Sequence, residues 1–209
     1  PTKNQLDILN VKNIKNYFSK MKPKILIHLA GLSRPMQLHK NNIHKSIDLN
    51  IIGTANVTKV CAENNVKLIY FSTNYVYQGT KGNYLETDPV LPVNNYAWSK
   101  LGGEASVQLY QNSLILRLSM TEKPFVHKKA FVNVINNFLY HDEVAKILFK
   151  LIKKKGVINV GGKVKNIYDF AKKSNPEVKK VFLKKKSNIE MPINSSINIS
   201  KLKKILKKN

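Results

Sequence analysis

Residues 66–79 read VKLIYFSTNYVYQG. After Lys67 the first half is apolar without alternation, the habit of a strand covered on both faces. The second half turns polar and places Ser72 and Thr73 where that strand ends, the region in which open α/β sheets assemble their sites. KILIHLA (24–30), SLILRL (113–118) and the shorter VINV (157–160) repeat the pattern. Helical periodicity separates them. Val11, Ile14, Phe18 and Met21 line one face of 10–22, and Ile43, Ile47, Ile51, Ala55 and Cys61 recur through 42–64. A third helix covers 97–111 and a fourth 139–154. Strands alternating with helices predict an α/β fold, a doubly wound parallel sheet with helices on both faces. A short helix is expected over 166–174, an irregular lysine-rich stretch over 175–190, and a last helix over 200–208 with Ser200 as its N-cap. The expected division is a sheet domain over 1–160 and a small basic lobe over 161–209.

The chain has 209 residues, 43% of them hydrophobic, enough for a sizeable core. Its single cysteine, Cys61, leaves no disulfide framework and no CxxC metal site. That suits a reducing, cytoplasmic setting, and no metal is expected. No apolar run is long enough to span a membrane and no signal peptide is evident. The formal net charge is +24, with 34 lysines against two arginines. Readers of grooves and phosphates favour Arg. From Lys146 onward 19 lysines face three acids, Asp169, Glu177 and Glu190. The charge is therefore read as a solvated basic surface able to attract an anionic ligand such as a nucleotide diphosphate, rather than as a nucleic-acid site.

VNNYAWSKLGGE (93–104) carries the chemistry. Tyr96 and Lys100 are spaced i, i+4 and project from one helix face. A free tyrosine, with a pKa of about 10, is a poor proton donor or acceptor at neutral pH. A neighbouring cation favours the phenolate and lowers that value. The pair can then exchange a proton with an alcohol or ketone oxygen. Alone the spacing is weak, since amphipathic helices carry such pairs on their surfaces. Thr73, 23 residues before Tyr96 at a strand end, strengthens it.

FSTNYVYQG (71–79), GNYLETDPVLPVNNYAWSKLGGE (82–104) and LILRLS (114–119) together resemble the extended branch of the short-chain dehydrogenases/reductases. Within it the chain is similar to the dTDP-4-dehydrorhamnose reductases and their sugar-nucleotide-binding relatives. LDILN (6–10), ILIHLAGLS (25–33), NIIGTANV (50–57), HDEVAKILFKLI (141–152), INVGG (158–162) and PINSSINISKLKKIL (192–206) agree. The resemblance implies a Rossmann-like fold and an NADP or NAD cofactor. It makes Thr73, Tyr96 and Lys100 catalytic: Thr73 holds the substrate carbonyl, Tyr96 donates the proton, and Lys100 holds the cofactor ribose and tunes Tyr96. It places Asp7 and Ile8 near adenine and Leu29, Ala30 and Gly31 beside the ribose. Asn74 and Asn50 join Thr73 as substrate-side candidates, with a packing or capping role weighed equally for Asn50. Glu104 is read as structural, and Gly102 and Gly103 as marks of close backbone packing.

Four features depart from that family. No GxxGxxG turn, the backbone cradle for a pyrophosphate, occurs among the nine glycines. The first residues match a point about 30 residues or more into the fold, one strand–helix–strand unit on, so a fragment of a longer protein is expected. The stretch between the LRLSM segment and the next family-like helix is short for a substrate lobe, and Asn74 stands where an Asp is usual. The expected function is NAD(P)H-dependent reduction of a nucleotide-linked 4-keto-6-deoxysugar in nucleotide-sugar and polysaccharide synthesis. This chain alone is expected to hold cofactor weakly or not at all. The alternatives are a 4-epimerase using the same Thr, Tyr and Lys, and a non-catalytic binding or regulatory homologue. The partner is a nucleotide sugar, not a membrane; oligomeric state is open, a homodimer included.

Overall fold

The computed structural model describes residues 1–184 and 190–207. Along the chain run α1 (Val11–Met21), β1 (Ile25–His28), α2 (Leu38–Asn41), α3 (Ile43–Ile47), a π-helical turn (Asp48–Ile52), α4 (Gly53–Glu63) and β2 (Lys67–Thr73). A 3-10 turn (Asn74–Val76), α5 (Asn95–Gln108) and β3 (Ser113–Leu118) follow. Four short strands come next: β4 (Met120–Thr121), β5 (Lys129–Phe131), β6 (Ile135–Asn136) and β7 (Leu139–Tyr140). Then come α6 (His141–Leu151), β8 (Gly156–Val160), β9 (Lys165–Asn166), α7 (Ile167–Ala171), β10 (Lys179–Val181) and α8 (Ser200–Lys207).

The four apolar runs form one central parallel sheet in the order β1-β2-β3-β8. Ile25 of β1 lies opposite Lys67 and His28 opposite Tyr70. All six residues of β3 are buried, which is why its sequence shows no polar alternation. β1 is one of the two edge strands, and Ile25, Ile27 and the following Leu29 remain exposed.

Two compact units interleave along the chain. The first comprises residues 1–72, 95–116 and 154–157. Its core gathers Ile14 and Phe18 of α1, Val57, Val60 and Cys61 of α4, Leu68 and Tyr70 of β2, Val107 and Ile115. Burial pushes the Cys61 thiol up to about 12, so it serves as a small apolar core group. The helix expected over 42–64 is present as α3 and α4 joined by the π-helical turn. There the Gly53 N–H donates to the Asp48 carbonyl, five residues back. The β-carbon of any other residue at position 53 would meet Ile8 Cδ1 at 2.6 Å, so glycine lets the 6–10 segment lie against the turn.

The second unit comprises residues 73–94, 117–153 and 158–209. β5 pairs in parallel with β10, β4 in parallel with β7, and β6 antiparallel with β9. Phe125, Ala130, Val134, Ile167, Tyr168, Ala171 and Val178 form its core. α6 opens with Asp142 and Glu143 in its first turn, and Glu143 Oε2 accepts from the Tyr140 N–H at 2.7 Å. Within the stretch read as irregular, 179–181 form β10 by pairing with β5; residues 185–189 and 208–209 lie outside the described residues. Ser200 is the first residue of α8 rather than its cap. The Asn198 side chain, two residues earlier, accepts from the Ser200 N–H at 2.9 Å and so satisfies a donor at the helix start.

Candidate functional site

In the first unit, Tyr96 and Lys100 stand on the opening turns of α5. The start of that helix is tied down twice. Ser99 Oγ donates back to the Tyr96 carbonyl at 2.8 Å, and Asn95 Nδ2 donates to the His39 carbonyl at 3.1 Å. The Tyr96 ring meets His39 edge to face, with centroids 5.2 Å apart and planes at 66°.

Lys100 is turned over the ring of Tyr70, its Nζ 4.2 Å from the centroid, while Tyr70 Oη donates to the Lys100 carbonyl at 3.1 Å. Burial lowers the ammonium to a pKa of about 7, against the opposing pull of the Glu104 carboxylate. Glu104 is fully buried and accepts from Ser72 Oγ at 2.6 Å, a structural tie between α5 and β2. Tyr70 in turn stacks on His28, with centroids 5.7 Å apart, and His28 Nε2 lies 3.0 Å from Thr54 Oγ1. Burial and the Lys100 charge lower His28 to about 3, so this imidazole is neutral at ordinary pH. Tyr70 is pushed far above its usual value by burial, by Glu104 and by Tyr96. It stays a protonated hydroxyl, electrostatically linked to both Tyr96 and Lys100.

Asn50 sits in the π-helical turn and works as a clamp. Its Oδ1 accepts from the Leu32 N–H at 2.7 Å; its Nδ2 donates to the Leu32 carbonyl at 2.9 Å and to Ser99 Oγ at 2.8 Å. The side chain thus ties the loop after β1 to the site helix. Gly31 is required there, because a β-carbon would stand 2.7 Å from Asn50 Oδ1. Gly103 has a like reason: its α-carbon passes so close to Asn50 that a β-carbon would collide with the Asn50 carbonyl. The packing alternative weighed for Asn50 is the one its hydrogen bonds support, and both helix glycines mark close approach. Leu29, Ala30 and Gly31 are exposed. Asp7 Oδ1 accepts from the Leu9 N–H at 3.0 Å, closing a local turn, and Ile8 points into the core with its carbonyl held by Asn56 Nδ2 at 3.1 Å.

In the second unit, Thr73 ends β2 and its Oγ1 accepts from the Tyr75 N–H at 3.2 Å. Asn74 is buried and donates from Nδ2 to Asn136 Oδ1 at 3.1 Å and to the Ser195 carbonyl at 2.8 Å. Ser119 Oγ also donates to Asn136 Oδ1, at 2.5 Å. Position 74 therefore needs a donor facing two acceptors, which an ionised Asp cannot supply. Periodicity and motif spacing gave no sign of His39, Tyr70 or His28: each reads as an ordinary strand or loop residue, and only the fold places it against α5.

The model of the RmlD substrate binding domain matches residues 1–150. The chain belongs to that family. Within curated proteins, methionine adenosyltransferase 2 subunit beta of Xenopus laevis is 33% identical over 114 residues, 54% of this chain and 34% of the relative. The dTDP-D-glucose 4,6-dehydratase of Dictyostelium discoideum is 29% identical over 211 residues, 83% of this chain and 48% of the relative. The chain spans from a third to a half of these relatives. A dTDP-4-dehydrorhamnose reductase from Bacillus anthracis, solved in complex with NADP, superposes with a TM-score of 0.84 at 24% identity, covering 97% of this chain and 82% of that one. This RmlD-family chain thus has the Rossmann-like fold that its resemblance implies. Among its described residues no helix is long and apolar enough to cross a membrane, and no group of three or more His, Cys, Asp or Glu could hold a metal.

Proposed function

We propose that the protein containing this chain is an NAD(P)H-dependent reductase of a nucleotide-linked 4-keto-6-deoxysugar. The observation that carries the reading is the Tyr96 and Lys100 pair on the first turns of α5, in a family of sugar-nucleotide proteins. A nicotinamide cofactor, when bound, supplies the hydride. Tyr96 Oη gives its proton to the carbonyl oxygen as that carbon is reduced to an alcohol. In its protonated form, held at and below neutral pH by its lowered value of about 7, Lys100 sets a positive charge beside this chemistry and favours the phenolate left behind. Thr73, at the end of β2, has the hydroxyl that would hold the carbonyl, and Asn74 fixes the backbone that follows it.

The residues present fit the ribose side of such a cofactor. The loop Leu29–Gly31 is exposed, and Gly31 has no side chain to shield its backbone. The Lys100 Nζ rests on the aromatic face of Tyr70, and its N–H groups would serve the ribose hydroxyls. Asp7 stays an adenine-side candidate, Ile8 only through its backbone. No glycine-rich turn for the pyrophosphate occurs in the sequence.

The likeness to a methionine adenosyltransferase 2 subunit beta favours a second reading: a homologue that binds nucleotide or a partner protein without turnover. Reduction with NADPH deuterated on the transferred position separates the readings. A reductase leaves deuterium on C4 of the sugar and oxidises one NADPH per product. An epimerase inverts the carbon without net oxidation, and a regulatory homologue does neither. Absence of labelled product from the complete reading frame, with nucleotide binding retained, overturns the reductase reading.

A further inference from the structure

We propose that His39 is a positioning residue for Tyr96, its buried imidazole setting the orientation of the phenol ring at the head of α5. This rests on the reading of Tyr96 as the proton donor. Three contacts converge on it. The imidazole meets the Tyr96 ring edge to face at 5.2 Å, a geometry that aromatic quadrupoles favour over a stacked sandwich. The His39 carbonyl accepts from Asn95 Nδ2, so the same residue holds the backbone next to Tyr96 as well as its ring. Nδ1 lies 2.7 Å from Ser46 Oγ of α3, which fixes the rotation of the imidazole.

A purely structural wedge at position 39 would need no imidazole. Its side chain is fully buried, and Nε2 has no hydrogen-bond partner among the described residues. A buried unsatisfied polar atom is a cost that an apolar side chain of similar shape avoids. Burial also lowers the pKa of His39 against a weaker opposing effect of the Ser33 backbone, so the ring beside Tyr96 is neutral near pH 7. His39 therefore orients the phenol without adding charge, and the electrostatic adjustment of Tyr96 is left to Lys100.

The test places 3-fluorotyrosine at position 96 and follows its fluorine resonance in the wild type, His39→Ala, His39→Phe and Ser46→Ala. In the wild type the resonance should stand away from that of the free amino acid. His39→Ala should move it toward the free value and narrow it, His39→Phe should keep most of the displacement, and Ser46→Ala should fall between. In an active preparation His39→Ala should lower kcat about tenfold with little change in KM, since a misplaced donor affects the transition state more than binding. An unchanged fluorine resonance in folded His39→Ala and Ser46→Ala overturns the proposal whatever the turnover. A moved resonance in a protein without reductase activity leaves the positioning role standing and removes the reductase reading instead.

Discussion

The ammonium of Lys100 lies 4.2 Å from the centre of the Tyr70 ring, so the cation paired in sequence with Tyr96 rests on a buried aromatic face. Burial lowers it from 10.5 to about 7. Between those values the unfolded chain holds a proton that the folded chain has released, so folding stability rises with pH across that window. Chemical denaturation at pH 6.5 and pH 9.5 should show the wild type gaining stability relative to Lys100→Met. Equal differences at both pH values would mean that the ammonium is solvated.

His28 acts at the acid end. Its folded value of about 3 lies below the ordinary 6.5, so the stability tied to its neutral form is complete above 6.5 and is lost as pH falls toward 3. His28→Gln should flatten the fall in stability over that range, read from denaturation midpoints. A parallel pair of curves would place the acid sensitivity elsewhere.

Asn74→Asp should destabilise the fold by about 1–3 kcal/mol at pH 8, because a carboxylate would face Asn136 Oδ1 and the Ser195 carbonyl. The deficit should shrink in acid, where the protonated carboxyl can donate one of the two bonds. Urea titration at pH 8 and pH 4 measures both.

Two adjacent glycines in α5 should respond differently to alanine. At Gly102 the new methyl meets the flexible end of Ile51, 2.8 Å from Cδ1, and the gain in helix propensity of about 1 kcal/mol offsets the shift. At Gly103 it meets the Asn50 backbone carbonyl and Tyr70 Oη, which cannot withdraw without moving the clamp. Gly103→Ala should lose stability by about 1–3 kcal/mol while Gly102→Ala stays near wild type.

The sheet was legible because buried parallel strands need no polar alternation: VKLIYFS, SLILRL and VINV lie in β2, β3 and β8 with ends shifted by a residue at most. Tyr96 and Lys100 were legible because i, i+4 spacing survives in any helix. The break at Asp48–Ile52 was hidden, since a π-helical turn inserts one residue without interrupting an apolar face. Asn50 was ambiguous for the same reason: its three bonds reach residues 18 and 49 positions away. The short strands of the second unit were missed because two- and three-residue pairings carry no period. His39 depends wholly on the chain folding α2 against the start of α5.

The central claim is that Tyr96 is the proton donor of a sugar-nucleotide ketoreductase. The most direct measurement is NADPH consumption with a dTDP-4-keto-6-deoxyhexose, comparing the product of the complete reading frame with its Tyr96→Phe variant. The account predicts turnover in the first and a loss of about 10²–10⁴-fold in kcat in the second, with nucleotide-sugar binding preserved. Equal rates in the two proteins, or no consumption by either while the nucleotide sugar binds, would contradict it.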